Sequence, residues 1–319
     1  MKTTSAFSQA SITHMGVSAQ ACLASGQRGK VLASLSQALY LLTDDAELFW
    51  IVSENAPMHR RALKVSSPLS GPQAGSPFHV QDYRLTIDPS FVYDMNNASL
   101  WSAPSIDQNN IIEINDISTH IQTFFSRLDL SQAKGFGNFI TDILRLSQNE
   151  SIQPQAALTD HILVFAQPLV LDMARACMEN RPTNADALIG LGSGLTPSGD
   201  DFLGGLLFCI KTLQTTYPTT NFFDHEISLE PYHTRTHLIS FALLQDLANG
   251  HAIAPLHQLV NDILGGESFE IIHPSILQLT RVGHSTGWDM LAGLVTGLLT
   301  IHPSAQLNSS FQIVQSVQA

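Results

Sequence analysis

LIGLGSGLTPSGDDFLGGLL (residues 188–207) sets six glycines, one proline and two adjacent aspartates at the entrance of an apolar run. Glycine adopts positive-φ backbone that side chains resist, so 190–199 reads as a tight loop. The apolar residues after it recur at helical spacing, and Ser198 is the type of residue that caps a helix start. Asp200 and Asp201 then fall in the first helical turn, where the dipole favours a carboxylate.

The pattern occurs a second time. SGDDFLGGLL (198–207) and TGWDMLAGLV (286–295) share a hydroxyl residue, Gly, Asp, Leu, a small residue and Gly at one constant offset of 88 residues. Thr286 is the second cap and Asp289 the second first-turn carboxylate. Gly204, Gly205, Gly293 and Gly297 leave flat helix faces that other backbone can approach. Two such helices should pack on each other, or on a shared neighbour, and bring their leading loops to one end of a bundle.

Outward from these helices the chain divides by texture. LFWIVS (48–53), RALKVSS (61–67) and FHVQDYRLTI (78–87) are short runs rich in β-branched and aromatic residues, separated by Pro- and Gly-containing breakers. One helix is expected before them, over 29–42. After residue 105, IQTFFSRLDL, FGNFITDILRLSQ, TDHILVFAQPLVLDMARACMEN, HLISFALLQDLANG and PLHQLVNDILGG carry apolar residues at i, i+3, i+4 and i+7. Residues 214–235 read as a long excursion. The fold class is α+β: a β-rich N-terminal domain (20–105), a predominantly helical domain with both glycine motifs (106–302), and a polar tail (303–319).

Composition narrows the function. Apolar residues make up 44% of the chain and charged residues 13%, which supplies a core and not the charge density of disorder. A net charge of −12 opposes nucleic acid and anionic membranes as partners. Cys22, Cys177 and Cys209 show no metal-ligand spacing and read as thiols of a reducing compartment. The apolar run 290–301 is too short to span a bilayer, and the N-terminus lacks the apolar core of a signal peptide. The expected location is the cytoplasm.

The loops gather hydroxyls, carboxylates and backbone donors suited to a small anion. His284, with an ordinary pKa near neutrality, is the candidate general acid/base, with Asp200 and Asp289 as the other catalytic candidates. Gly192, Gly194, Thr196, Ser198, Gly199, Asp201, Arg281, Ser285, Thr286 and Gly287 are the substrate-binding candidates. Because the repeat aligns Asp201 with Asp289, Asp201 reads as a helix-start partner and Asp200 as the ligand-facing carboxylate. No cofactor is demanded by the pattern; Mg²⁺ is the metal these aspartates could hold. The bland alternative is a pair of capped, glycine-faced helices built for packing. No Lys follows the glycines, which argues against a nucleotide-binding P-loop.

GLGSGLTPSGDDFLGG together with GHSTGWDMLAGL resembles the signature of the AllH-like bacterial family. The resemblance extends to THLISFALLQDLANG (236–250) and, more faintly, to ASLW (98–101). It implies a subunit of an oxamate carbamoyltransferase of purine (allantoin) catabolism, interconverting oxalurate plus phosphate with oxamate plus carbamoyl phosphate. It also implies an FdrA-like chain and a third chain as partners. On that reading Thr196 and Ser198 stabilise the oxyanion, His284 moves a proton and Arg281 meets phosphate. Two other readings stand beside it. One is a Mg²⁺-dependent hydrolase, from the local similarity of GHSTGWDMLAGLVTGLL to Asp-bearing helix starts of ADP-ribosylglycohydrolases. The other is a non-catalytic scaffold subunit.

Overall fold

The computed structural model describes residues 8–67, 69, 71–152, 160–220, 223 and 227–301; the tail 303–319 lies outside these. The strands come first: β1 (Ser8–Gly16), then after a short helix α1 (Val17–Ala21) β2 (Arg28–Ser34), β3 (Ala38–Thr43), β4 (Leu48–Val52), β5 (Ala62–Val65), β6 (Pro77–Gln81), β7 (Arg84–Ile87), β8 (Phe91–Asp94) and β9 (Ser99–Trp101). Their order, β5-β4-β3-β2-β6-β7-β8-β1, closes on itself because β1 also pairs with β5. The result is an eight-stranded mixed barrel, with β9 added beside β1. The parallel neighbours in the ring are β4 with β5 and β1 with β8.

One strand makes closure possible by dividing its length among partners. β1 pairs with β8 through Ser8–Ser11, shifts register after Ile12, and pairs with β5 through Ile12, His14 and Met15. Closure leaves no open edge in the ring. Ile12, Val31, Leu39, Leu41, Phe49, Ile51, Leu63, Val65, Phe78, Val80, Leu85 and Ile87 fill the interior.

Residues 29–42 form the β2–β3 hairpin and not the expected helix. Val31, Leu35, Ala38, Leu39 and Leu42 imitate helical spacing, but burial in β3 alternates, with Leu39, Leu41 and Thr43 inside. Leu35, which a helix would have buried, is 48% exposed at the turn. Likewise 78–87 is two strands, because Asp82 and Tyr83 both take positive φ (49° and 58°) and make a two-residue hairpin turn.

The helical part comprises α2 (Ile114–Phe125), a 3-10 turn at Gly135–Phe139, α3 (Ile140–Ser147), α4 (His161–Met178), α5 (Ser198–Thr216), a second 3-10 turn at Glu230–Tyr232, α6 (Leu238–Ala248), α7 (Ala254–Leu264), α8 (Phe269–Leu279) and α9 (Thr286–Leu298). Helix α8, which has Pro274 inside it, is not among the helices read from the pattern. By length and composition α4 could cross a membrane, although 44% of that span is buried. Its buried side, Ala166, Val170, Met173, Ala174 and Cys177, is the one-sided stripe of a helix packed on a core.

Two compact units result: Met1–Pro104 with His251–His257, and Ser105–Gly250 with Gln258–Ala319. Within the second, α9 is buried from Gly287 to Leu298 and packs along α5. The glycines set their approach. A Cβ on Gly205 would run into the Met290 carbonyl, and one on Gly293 would run into that of Phe202. These four residues exchange under the 88-residue offset, as do the facing pair Cys209 and Gly297. The two copies of the motif are therefore related by a local two-fold.

Candidate functional site at the paired helix starts

Gly190, Gly192 and Gly194 have φ of 77°, 118° and 99°, and this sequence of left-handed residues folds the first loop back over the start of α5. Gly199 lies against the Leu188 carbonyl and Gly287 against that of Leu279, so both helix starts need a residue without Cβ at the same place in the repeat. Gly194 faces open space.

The capping hydroxyls do not cap. Pro197 and Ser285 occupy the N-cap positions of α5 and α9, and neither makes a side-chain cap bond. Ser198 and Thr286 instead begin their helices and reach across to the other loop. Thr196 Oγ1 lies 3.1 Å from Thr286 Oγ1, and Ser198 Oγ lies 3.5 Å from Ser285 Oγ. The two motifs meet through their hydroxyls.

Behind those hydroxyls sit two carboxylates. Asp201 is 3% exposed and Asp289 is fully buried. Asp289 Oδ1 accepts the Phe136 N–H at 2.6 Å, which the positive φ of Gly135 (53°) presents to it. One oxygen of each, Asp201 Oδ2 and Asp289 Oδ2, accepts no hydrogen bond among the described residues. Burial pushes the Asp201 carboxyl well above the usual range, the nearby Asp289 charge adds to the shift, and the hydroxyls of Thr196 and Thr286 oppose it. Burial raises Asp289 to about 7 against the Phe136 N–H and the hydroxyls of Ser285 and Ser198.

Asp200 is also buried but has a different role. It accepts the Gly190 N–H at 2.7 Å, the Ser240 hydroxyl at 2.6 Å and the Thr236 hydroxyl. Three donors saturate it and tie the glycine loop to the start of α6. The division expected between the two aspartates is thus reversed: Asp200 is the internal anchor, and Asp201 keeps the open oxygen. The sequence offset aligned Asp201 with Asp289 correctly, and the pair shares one environment.

His284 and Arg281 are both exposed. Arg235 is engaged elsewhere, holding Asp186 through its side chain and its main-chain carbonyl at 2.9 and 2.7 Å. The carboxyls of Asp201 and Asp289 are buried behind the helix starts, whereas Ser193, Gly194 and His284 are exposed. Among the described residues no group of three or more His, Cys, Asp or Glu converges on one point. The residues missed by pattern reading are Gly135 and Phe136, whose only signal is the short GFG run; Thr236 and Ser240, which bond Asp200, lie in the THLIS segment that carries the resemblance but are not among the site candidates.

Residues 188–298 match the model of the family described as oxamate carbamoyltransferase subunit AllH. Over that segment, about a third of its length, the chain is similar to the AllH family. That segment begins at the glycine loop and ends at the last residue of α9, so it encloses both AllH-type motifs and the Thr236–Ser240 hydroxyls between them. No solved structure matches the chain.

Proposed function

We propose that this chain is a subunit of an oxamate carbamoyltransferase-like complex, working beside an FdrA-like chain and a third chain. The observation that carries the reading is the meeting of the two motifs within the matched segment, hydroxyl to hydroxyl at 3.1 and 3.5 Å. A packing device alone has no need to bury two carboxylates with open oxygens behind such a seam. In the reaction, a phosphate oxygen attacks the carbamoyl carbon of oxalurate. The bond from that carbon to the oxamate nitrogen breaks, and the nitrogen takes a proton.

The exposed rim suits that chemistry in parts. Arg281 offers a bidentate phosphate partner and His284 a group able to move the proton, while the backbone around Gly192 and Gly194 supplies donors for oxyanion or carboxylate. The experiment is co-expression of the three chains, followed by phosphate-dependent cleavage of oxalurate with and without this chain. Turnover should require it, and His284→Gln in the complex should lower turnover by roughly 10²–10⁴. Equal turnover by the other two chains alone would remove this subunit from the chemistry and leave the scaffold reading.

A further inference from the structure

Asp201 and Asp289 stand out from the other buried polar groups of the helical part. Both are inside, both keep an oxygen with no hydrogen bond, and the charge of Asp289 acts on Asp201. No Lys, Arg or His is among the groups acting on either carboxyl. Two such carboxyls in a low-dielectric interior are neutralised by a proton, the form that burial favours, unless a bound cation compensates their charge.

The surroundings suit such a cation. The side-chain atoms facing the pair are oxygens: Thr196 and Thr286 beside Asp201, Ser198 and Ser285 beside Asp289. Oxygen-only sets of about six ligands select hard cations, bound at about 2.1 to 2.5 Å; neighbouring ligand oxygens then stand about 3.0 to 3.5 Å apart. The two hydroxyl pairs, at 3.1 and 3.5 Å, have that spacing. The longer one is too long for a good O–H···O bond, and both of its hydroxyls act on the Asp289 carboxyl instead.

We propose that Asp201 and Asp289, with the hydroxyls of Thr196, Ser198, Ser285 and Thr286, bind one hard divalent cation, Mg²⁺ or Ca²⁺, that joins the two loops across the local two-fold. Asp200 has no part in it, being saturated by Gly190, Thr236 and Ser240. The cation holds the loops together and thereby shapes the outer rim. This inference concerns the same loops as the proposed function but does not depend on carbamoyl transfer, and its readout is binding and not turnover.

The test uses the full chain stripped with EDTA and titrated with MgCl₂ and CaCl₂ by calorimetry and by thermal unfolding at neutral pH, with NaCl at matched ionic strength as control. One equivalent should bind per chain and raise the melting temperature, with NaCl inert. Asp201→Asn and Asp289→Asn should abolish both effects, and Thr196→Val should weaken binding about 10-fold or more. If the Asn variants fail to fold, the wild-type titrations and Thr196→Val decide alone. No heat and no melting shift with either ion at millimolar concentration overturns the proposal. So does an equal shift with NaCl. An Asn variant that melts higher than ion-free wild type, in the absence of any ion effect, would show that the pair is neutralised by a proton instead.

Discussion

His257 shows how one side chain couples the fold to pH. Its ring is 9% exposed, and Nε2 accepts the Ala252 N–H at 3.0 Å, which requires the neutral form. Burial, helped by the nearby His251, lowers its pKa from 6.5 to about 4. A depressed folded pKa gives stability that is present above 6.5 and is lost as pH falls through 4. The full difference corresponds to roughly 3 kcal/mol. Urea unfolding followed from pH 7 down to pH 4 should show this loss, and His257→Gln should flatten it; an unchanged slope in the variant would assign it to other groups. At this same scale the sequence was only partly legible. The glycine loop and first-turn aspartates could be read from residue types, but which aspartate keeps a free oxygen could not. That depends on Thr236 and Ser240, donors some forty residues away in sequence, which saturate Asp200 and not its neighbour.

At the scale of elements, the repeat was the strongest signal, because an offset shared by eight or so positions specifies a packing relation as well as two helices. Gly205 and Gly293 test it. In an exposed helix, Gly→Ala stabilises by about 1 kcal/mol. Here the added methyl would meet the Met290 or Phe202 carbonyl, which is backbone and cannot rotate away. Overpacking of this kind costs about 1–3 kcal/mol, so the clash exceeds the helix gain. Gly205→Ala and Gly293→Ala should each lower stability in denaturant titrations, and by similar amounts given the local two-fold. A stabilised variant would mean that α5 and α9 do not approach through these faces. Elsewhere the element reading failed where periodicity is ambiguous. Residues 29–42 satisfy a helical spacing, yet a bulge between Val31 and Ala33 and alternation in β3 make them a hairpin.

At the scale of the whole chain, the unit that holds the barrel is not one consecutive stretch of sequence. Residues His251–His257 belong to the unit of Met1–Pro104. In that unit Ala252 and Ile253 are 2% and 9% exposed, and the Ala254 N–H donates to the Met58 carbonyl at 2.8 Å. Nothing in HAIAPLH announces this: it is too short for a period, and its proline suits a helix start as well as a loop. The consequence can be measured. A fragment of residues 1–104 lacks this segment and its bond to Met58, and burying one side chain of the size of Ile253 contributes about 1.5–3 kcal/mol. Adding 251–257 to the fragment through a flexible Gly/Ser linker makes its return intramolecular, at an effective concentration in the millimolar range. The linked fragment should therefore unfold at higher urea than 1–104 alone. Ile253→Ala in the linked fragment should remove much of the difference. Equal midpoints for the two fragments would show that the strands close the barrel without this segment.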